Sequence, residues 1–310
     1  MTISQMTWPL LMVYMRPGAN LSLKPAGRTG ARLKKVANSM SCEPYFSDGT
    51  FTLNHGDCTR MLKALPDRSV DLVFADPPYN HAGRRAPVDR VDRDASSGIE
   101  EDFRFHESLI RECRRVLKEN GSIWINGIYH SIYSCGFALQ ERGFHILNYI
   151  CWYEPSAPPN LFIRHFAVSN KTLIRALKER DSRHTFNCEL LKTGGRTGGN
   201  LKKAGRQMRT VWSVPSPRGR EKRSGRHPTQ KPCSLLKRII LASLREHGIV
   251  LDPFTGSSAM WLAACATWRR FIGIDTGQQS LGLSISRYRD STWSRQENGK
   301  EARHRRKNIV

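Results

Sequence analysis

Val70-Asp-Leu-Val-Phe-Ala-Asp-Pro-Pro-Tyr-Asn80 is an apolar run that stops at two successive prolines. Val70 to Ala75 has the length and the β-branched and aromatic content of a strand buried on both faces. Two prolines fix φ and bring no N–H to a sheet ladder, so the strand must end at Asp76. The result is a rigid turn at the carboxyl end of a buried strand, which is where open α/β sheets bind ligands. Asp76, the carbonyl of Pro77 and the ring of Tyr79 are the parts needed to hold a planar base with an exocyclic amine. The carboxylate and the carbonyl accept from the NH₂, and the ring stacks on the base. A proline-rich turn with an incidental acid would read the same way, so this motif alone does not decide a function.

Working outward, strands alternate with helices. Phe51 to His55 reads as a strand entering Gly56-Asp57, followed by a helical stretch through Leu65. Leu109, Cys113, Val116 and Leu117 share one face of a helix expected over 103–117. Gly121 to Asn126 and Phe144 to Tyr153 are expected strands. Leu235, Leu236, Ile239, Ile240 and Leu244 form the apolar stripe of a later helix. Ile249 to Leu251 is a strand, the helix beyond it runs to Trp268, and Phe271 to Asp275 is the next strand. This alternation predicts βαβ units: an α/β fold with a Rossmann-like, mostly parallel sheet.

A second strand–turn–helix stands at Asp252-Pro-Phe-Thr-Gly-Ser-Ser258. Small residues at a helix N-terminus let backbone N–H groups approach an anionic group. About twenty residues later Asp275 ends the next strand, where a Rossmann-like sheet places an acid on ribose hydroxyls. The G-x-G-x-x-G fingerprint is absent, which argues against NAD, and Gly194 to Lys203 never spells a Walker loop. His227-Pro-Thr-Gln-Lys-Pro232 reads as the opening of the helix before this second turn.

Charge adds a partner. Among 310 residues, 50 Lys+Arg face 27 Asp+Glu, a net +23 that calls for a polyanion. The excess is concentrated. Residues 1–42 hold six basic and no acidic side chains, and Lys192 to Arg226 hold eleven basic residues against Glu221 alone. Gly, Pro and Ser break both stretches, so we expect a disordered basic arm over 1–42, a loop-rich insert over 190–226 that gains order from a partner, and a basic tail over 291–310. Gly27-Arg-Thr-Gly-x-x-Leu-Lys-Lys35 recurs as Gly195-Arg-Thr-Gly-x-x-Leu-Lys-Lys203, either as two phosphate-gripping loops or as coincidence in basic, glycine-rich sequence. The eight cysteines are scattered singly, which predicts reduced thiols in a cytoplasm and no metal site. No apolar run approaches the roughly 20 residues needed to cross a bilayer, so no membrane partner is expected.

Taken in order, these stretches resemble the β group of DNA amino-methyltransferases, which use S-adenosylmethionine. The likeness covers roughly residues 51 to 290 and rests on Gly56-Asp-Cys58, Ser69 to Asn80, Val211-Trp-Ser-Val-Pro215, Gly225-Arg-His-Pro-Thr-Gln-Lys-Pro232, Leu251 to Ser257 and Arg270-Phe-Ile-Gly-Ile-Asp275. It implies a methyltransferase domain over 43–290, with a catalytic half at 51–180, a target-recognition insert at 190–226 and a cofactor-binding half at 227–290. Asp76, Pro77, Pro78 and Tyr79 match the family's catalytic motif. Asp252, Pro253, Phe254, Thr255, Gly256 and Ser257 match the loop around the methionine part of the cofactor, with Lys231 for its carboxylate, Asp275 for its ribose and Asp57 near its adenine. Arg196, Lys202, Lys203, Arg206, Arg209, Arg218 and Arg220 would grip double-stranded DNA.

The expected reaction is methylation of adenine N6 on a flipped-out base, in a restriction-modification setting that leaves room for a companion restriction endonuclease and a homodimer. Cytosine N4 needs the same amine geometry and is the alternative. Two departures from the family pattern keep a catalytically impaired DNA-binding relic as a further alternative. Ser258 stands where the family has glycine, which is costly if that position needs positive φ. Glu154 stands where the family has lysine, putting a negative group near the DNA. Pro232-Cys233 is similar to the Pro-Cys nucleophile of cytosine-C5 methylation, but it opens a helix in the wrong motif order.

Overall fold

The computed structural model describes residues 43–78, 99–129, 131–157, 159, 164, 166–192, 205–225 and 227–290. The expected arm, the tail, both copies of the repeat, Tyr79, Asn80, Arg196, Lys202 and Lys203 lie outside the described residues.

The elements run β1 (Phe46–Ser47), β2 (Phe51–His55), α1 (Cys58–Lys63), β3 (Val70–Ala75), α2 (Ile99–Val116), β4 (Leu117–Gly127), α3 (Ile132–Glu141), β5 (His145–Tyr153), β6 (Asn170–Leu177), α4 (Cys188–Lys192), β7 (Val211–Ser213), a 3-10 turn (Gly219–Lys222), α5 (Cys233–Ser243), β8 (Ile249–Asp252), α6 (Ala259–Ala266) and β9 (Arg270–Asp275). A last helix covers 278–290. Among the described residues the strands form one sheet in the order β1-β2-β9-β8-β3-β4-β6-β5-β7. Its centre, β2-β9-β8-β3-β4, is parallel throughout, so the mostly parallel α/β expectation holds.

Strand β6 was not expected. It runs antiparallel between β4 and β5, and its sequence Asn-Lys-Thr-Leu-Ile-Arg-Ala-Leu carries two cations that disguise a core strand. Arg175 is only 3% exposed. Its guanidinium lies 4.7 Å from the Phe186 ring centroid and 5.8 Å from that of Trp124, so aromatic faces replace the water it gives up. Burial lowers its pKa to about 10. Helix α2 stops one residue earlier than expected because Leu117 already pairs with Val70 in the sheet. The stretch 227–232 is an extended turn, with Pro232 as the N-cap of α5, and not the first turn of a helix.

Helices cover both faces. Residues of α1, α2 and α3 pack one side with Val73, Ile123 and Ile125, while α5, α6 and the last helix pack the other with Leu72, Phe74 and Trp124. Helix α6 (Ala-Met-Trp-Leu-Ala-Ala-Cys-Ala) is apolar nearly all round because it is buried nearly all round; Trp261, at 0% exposure, stacks on Tyr288 with centroids 4.4 Å apart. From β8 the chain crosses through α6 to β9, and from β3 it crosses through α2 to β4 on the opposite side. The gap between β8 and β3 is therefore the switch point of the sheet, where α/β folds bind ligands.

Candidate active site at the switch point

The carboxyl ends of β3 and β8 place Asp76 and Asp252 beside each other. Asp76 is half-buried, Pro77 buried and Pro78 exposed. One oxygen of Asp76 accepts a 2.5 Å hydrogen bond from Nδ2 of Asn126. The other is ion-paired with the ammonium of Lys231, 155 residues away in sequence. Lys231 is 6% exposed and also donates to the carbonyl of Thr229 at 3.0 Å.

Asp252 is buried and accepts one hydrogen bond, from the Phe254 N–H at 3.1 Å. Burial, together with Asp76 and Asp275 nearby, pushes its carboxyl up to about 8 against the pull of Phe254 N–H and Lys231. Beyond it the chain turns tightly. Gly256 has φ +51°, which glycine adopts without strain, and a Cβ there would lie 3.2 Å from the His227 ring, tighter than ordinary contact. Ser258 has φ 52° and ψ 43°, so the strained left-handed conformation feared from the sequence is real. Its buried hydroxyl pairs with that of Thr255 at 2.9 Å, a bond glycine could not make.

This loop is braced from behind. Ser284 donates to the Gly256 carbonyl at 3.0 Å, and Arg287 donates to the carbonyl and hydroxyl of Ser257 at 2.6 and 2.9 Å. Asp275 accepts from the Gly256 and Gly277 N–H groups, both at 2.7 Å. Each of its oxygens keeps lone-pair capacity for a further donor. Asp57 caps α1, accepting from the Arg60 N–H at 3.0 Å and from the Thr59 hydroxyl. Burial raises its pKa, but the Thr59 hydroxyl, backbone N–H groups and Lys63 outweigh that and hold it below the ordinary carboxylate value.

The insert reaches the site through its single acid. Glu221 accepts from the Cys233 N–H at 3.1 Å, and its carbonyl accepts from the Gln230 side chain at 2.8 Å. A carboxylate at the first turn of α5 is favourably placed for the helix dipole, and it ties the 3-10 turn to the Lys231 loop. Arg206, Arg209 and Arg218 are exposed on the described part of the insert. Arg220 lies on the 3-10 turn.

Glu154 proves to be neutralised. Its carboxylate lies 3.3 Å from Lys171, whose ammonium sits 4.7 Å from the Trp152 ring centroid, so the neighbouring strand supplies a cation. Burial first, with Glu221 and Cys265 adding to it, raises the Cys233 thiol pKa, the opposite of what a nucleophilic thiolate needs.

Asn126, Ser284 and Arg287 did not stand out in the sequence. Asn126 closes the predicted strand 121–126, and only the pairing of that strand with β3 shows its importance.

A Rossmann-like sheet with two acid-tipped turns at its switch point is the arrangement in which α/β folds bind nucleotide-like ligands. Known proteins narrow this. The chain matches the DNA methylase family over residues 70–285 and belongs to it. It is 39% identical over 262 residues to the Type II methyltransferase M2.DpnII of Streptococcus pneumoniae, spanning 82% of this chain and 95% of that protein. M2.LlaDCHI of Lactococcus lactis subsp. cremoris is also 39% identical over 262 residues, covering 82% and 94%. M2.MboI of Moraxella bovis is 36% identical over 268 residues, covering 82% and 93%.

Among solved structures, PvuII DNA methyltransferase (cytosine-N4-specific) superposes with a TM-score of 0.64 at 17% identity, over 80% of this chain and 90% of that one. The M1.HpyAVI–SAM complex superposes at 0.58 and 24%, over 77% and 98%. These two share the fold. Among the described residues no helix is long and apolar enough to cross a membrane.

Proposed function

We propose that the chain transfers the methyl group of S-adenosylmethionine to N6 of a flipped-out adenine in double-stranded DNA, as the modifying half of a restriction-modification pair. The observation that carries this reading is Asp76, held between Asn126 and Lys231 at the switch point, directly beside the 252–258 loop. The preference for adenine comes from the Asp76-Pro77-Pro78-Tyr79 motif. A companion endonuclease, a cytoplasmic location and a homodimer belong to the same reading.

The residues fit the cofactor. Gly256 leaves the loop without a Cβ, and Asp275 keeps acceptor capacity for hydroxyl groups. Asp252 is a buried carboxyl among acids, which a cationic group would favour as its carboxylate. Asp252 to Ser257 would hold the methionine part, Asp275 the ribose, Asp57 the adenine side and Lys231 the carboxylate. When bound, the cofactor supplies an electrophilic methyl group.

The amine lone pair of adenine is delocalised into the ring. Asp76 and the Pro77 carbonyl accept both N–H bonds, localise that pair and aim it, while Tyr79 stacks on the base. Catalysis is positioning plus electrostatics, with no covalent nucleophile. Arg196, Lys202, Lys203, Arg206, Arg209, Arg218 and Arg220 bring the DNA by neutralising phosphates.

The test is transfer of labelled methyl from the cofactor to mixed DNA, followed by nucleoside chromatography. Label in N6-methyladenosine is expected. Label in N4-methylcytidine overturns the target base, and tight DNA binding without label overturns the enzymatic reading.

A further inference from the structure

We propose that Asn126 is a positioning residue for Asp76: its amide locks one carboxylate oxygen so that the other is presented in a fixed direction to the target amine. This rests on the reading that Asp76 accepts from that amine.

The sheet makes the pairing. Ala75 and Ile125 are partners in the β3–β4 register, so the next residue on each strand, Asp76 and Asn126, emerge side by side at the carboxyl end. Asn126 is 0% exposed and donates from Nδ2 to Asp76 Oδ1 at 2.5 Å. A carboxylate only accepts, so the amide must turn its NH₂ toward it. Other asparagines are used differently. Asn54 donates to the Gly273 carbonyl at 3.3 Å, and Asn187 to the Leu241 carbonyl at 2.8 Å, both tying chain to chain. Asn126 directs its amide at a site carboxylate instead.

Its Oδ1 is buried with no hydrogen-bond partner among the described residues, an arrangement that stability alone disfavours. The two donors to Asp76 also differ in kind. Lys231 is a long side chain on a turn, and an incoming anion can draw it away. Asn126 has a short side chain on a sheet strand, which holds an angle better than a loop does. Asp76 therefore keeps its orientation when Lys231 changes partner.

The experiment compares Asn126→Ala, Asn126→Asp and Asp76→Ala in the full chain, with kcat, KM for DNA, the pH profile and thermal unfolding measured for each. Asn126→Ala should keep a cooperative unfolding transition and lose about 10- to 100-fold in kcat, the worth of one hydrogen bond to a charged group. KM should change little, since the amide is not proposed to touch DNA.

Asn126→Asp places two carboxyl groups where one proton must be shared. Beside Lys231 and Asp76 the new carboxyl removes the donor and adds like charge, so activity should fall and recover in part as pH is lowered and the pair takes up a proton. A merely structural asparagine would lower the unfolding midpoint of Asn126→Ala and leave its kcat unmoved. Wild-type kcat in Asn126→Ala beside an inactive Asp76→Ala overturns this inference alone. Full activity in Asp76→Ala overturns the underlying reading with it. Should Asn126→Ala fail to fold, the profile of the nearly isosteric Asn126→Asp decides, and a profile no different from wild type overturns the proposal.

Discussion

Two Asp-Pro turns end neighbouring parallel strands, yet their carboxyl groups live in opposite surroundings. Asp76 receives an amide on one oxygen and an ammonium on the other. Asp252 receives one backbone N–H, and burial with two acids nearby pushes it up to about 8. The dipeptide and its place on the sheet are the same, so the difference comes from what other elements deliver. At β3 the donors arrive from β4 and from the Lys231 loop. At β8 the last helix grips the loop from behind through Ser284 and Arg287 and leaves the acid buried. The first turn is set to accept hydrogen bonds in a chosen direction, and the second to welcome a cation.

The sharpest way to break this contrast is to remove each acid in turn. Asp76→Ala should lower kcat by about 10²- to 10⁴-fold, the range for losing a positioned group that receives a proton-bearing substrate atom. Cofactor binding should survive. Asp252→Asn should act mainly on cofactor affinity. Steady-state methyl transfer with direct binding of S-adenosylhomocysteine separates the two; equal effects on both quantities in both variants would abolish the distinction.

The second test uses pH. Asp252 must lose its proton to face a cationic group, so binding releases a proton whenever pH lies below about 8. Affinity for S-adenosylhomocysteine should therefore fall by up to about tenfold per pH unit on going down from that value. Asp252→Asn should remove this slope and leave only the titration of the ligand's own amine. Calorimetry in buffers of different ionisation enthalpy reads the proton directly. A slope unchanged in the variant would place the cation elsewhere.

A third, smaller effect concerns how the donors reach Asp76. Glu221 holds the insert against Gln230 and Cys233. Glu221→Ala should cost about 1–2 kcal/mol of stability, as for a lost helix cap. It should also weaken cofactor affinity, because Lys231, which would hold the cofactor's carboxylate, sits in the loop that Glu221 braces. Chemical denaturation and direct binding of S-adenosylhomocysteine check both halves.

Much of this site could be read in the chain because motifs at strand ends are local. Val70 to Pro78 and Ile249 to Ser258 each carry their strand, their stop and their acid in one short stretch, and the order of the motifs brought the family with them. What stayed hidden depends on pairing across the sheet or across helices. Asn126 matters only because Ala75 and Ile125 share a register. Arg287 looks like a surface cation until its helix folds behind Ser257, and Lys171 and Arg175 hide the strand that answers Glu154 and fills the core. Glu221 reads as a stray acid in a basic insert, although it ties the 3-10 turn of the insert to the Lys231 loop.

The finest test bears on Ser258, where two opposing effects of similar size meet. Left-handed backbone costs a non-glycine residue about 1–2 kcal/mol, and a buried hydroxyl pair returns about 1 kcal/mol. Ser258→Gly removes both and should shift stability by less than about 1 kcal/mol. Ser258→Ala keeps the strain and leaves the Thr255 hydroxyl without its partner, so it should lose about 1–2 kcal/mol. The order glycine above alanine, read from unfolding midpoints, follows from φ 52° at that position. The same two variants measured for S-adenosylhomocysteine binding say whether the hydroxyl pair is a repair of the loop or only tolerated there. If it is a repair, glycine binds as tightly as serine and alanine binds more weakly. Alanine equal to serine in both measurements would mean that the bond between Thr255 and Ser258 does not hold the loop.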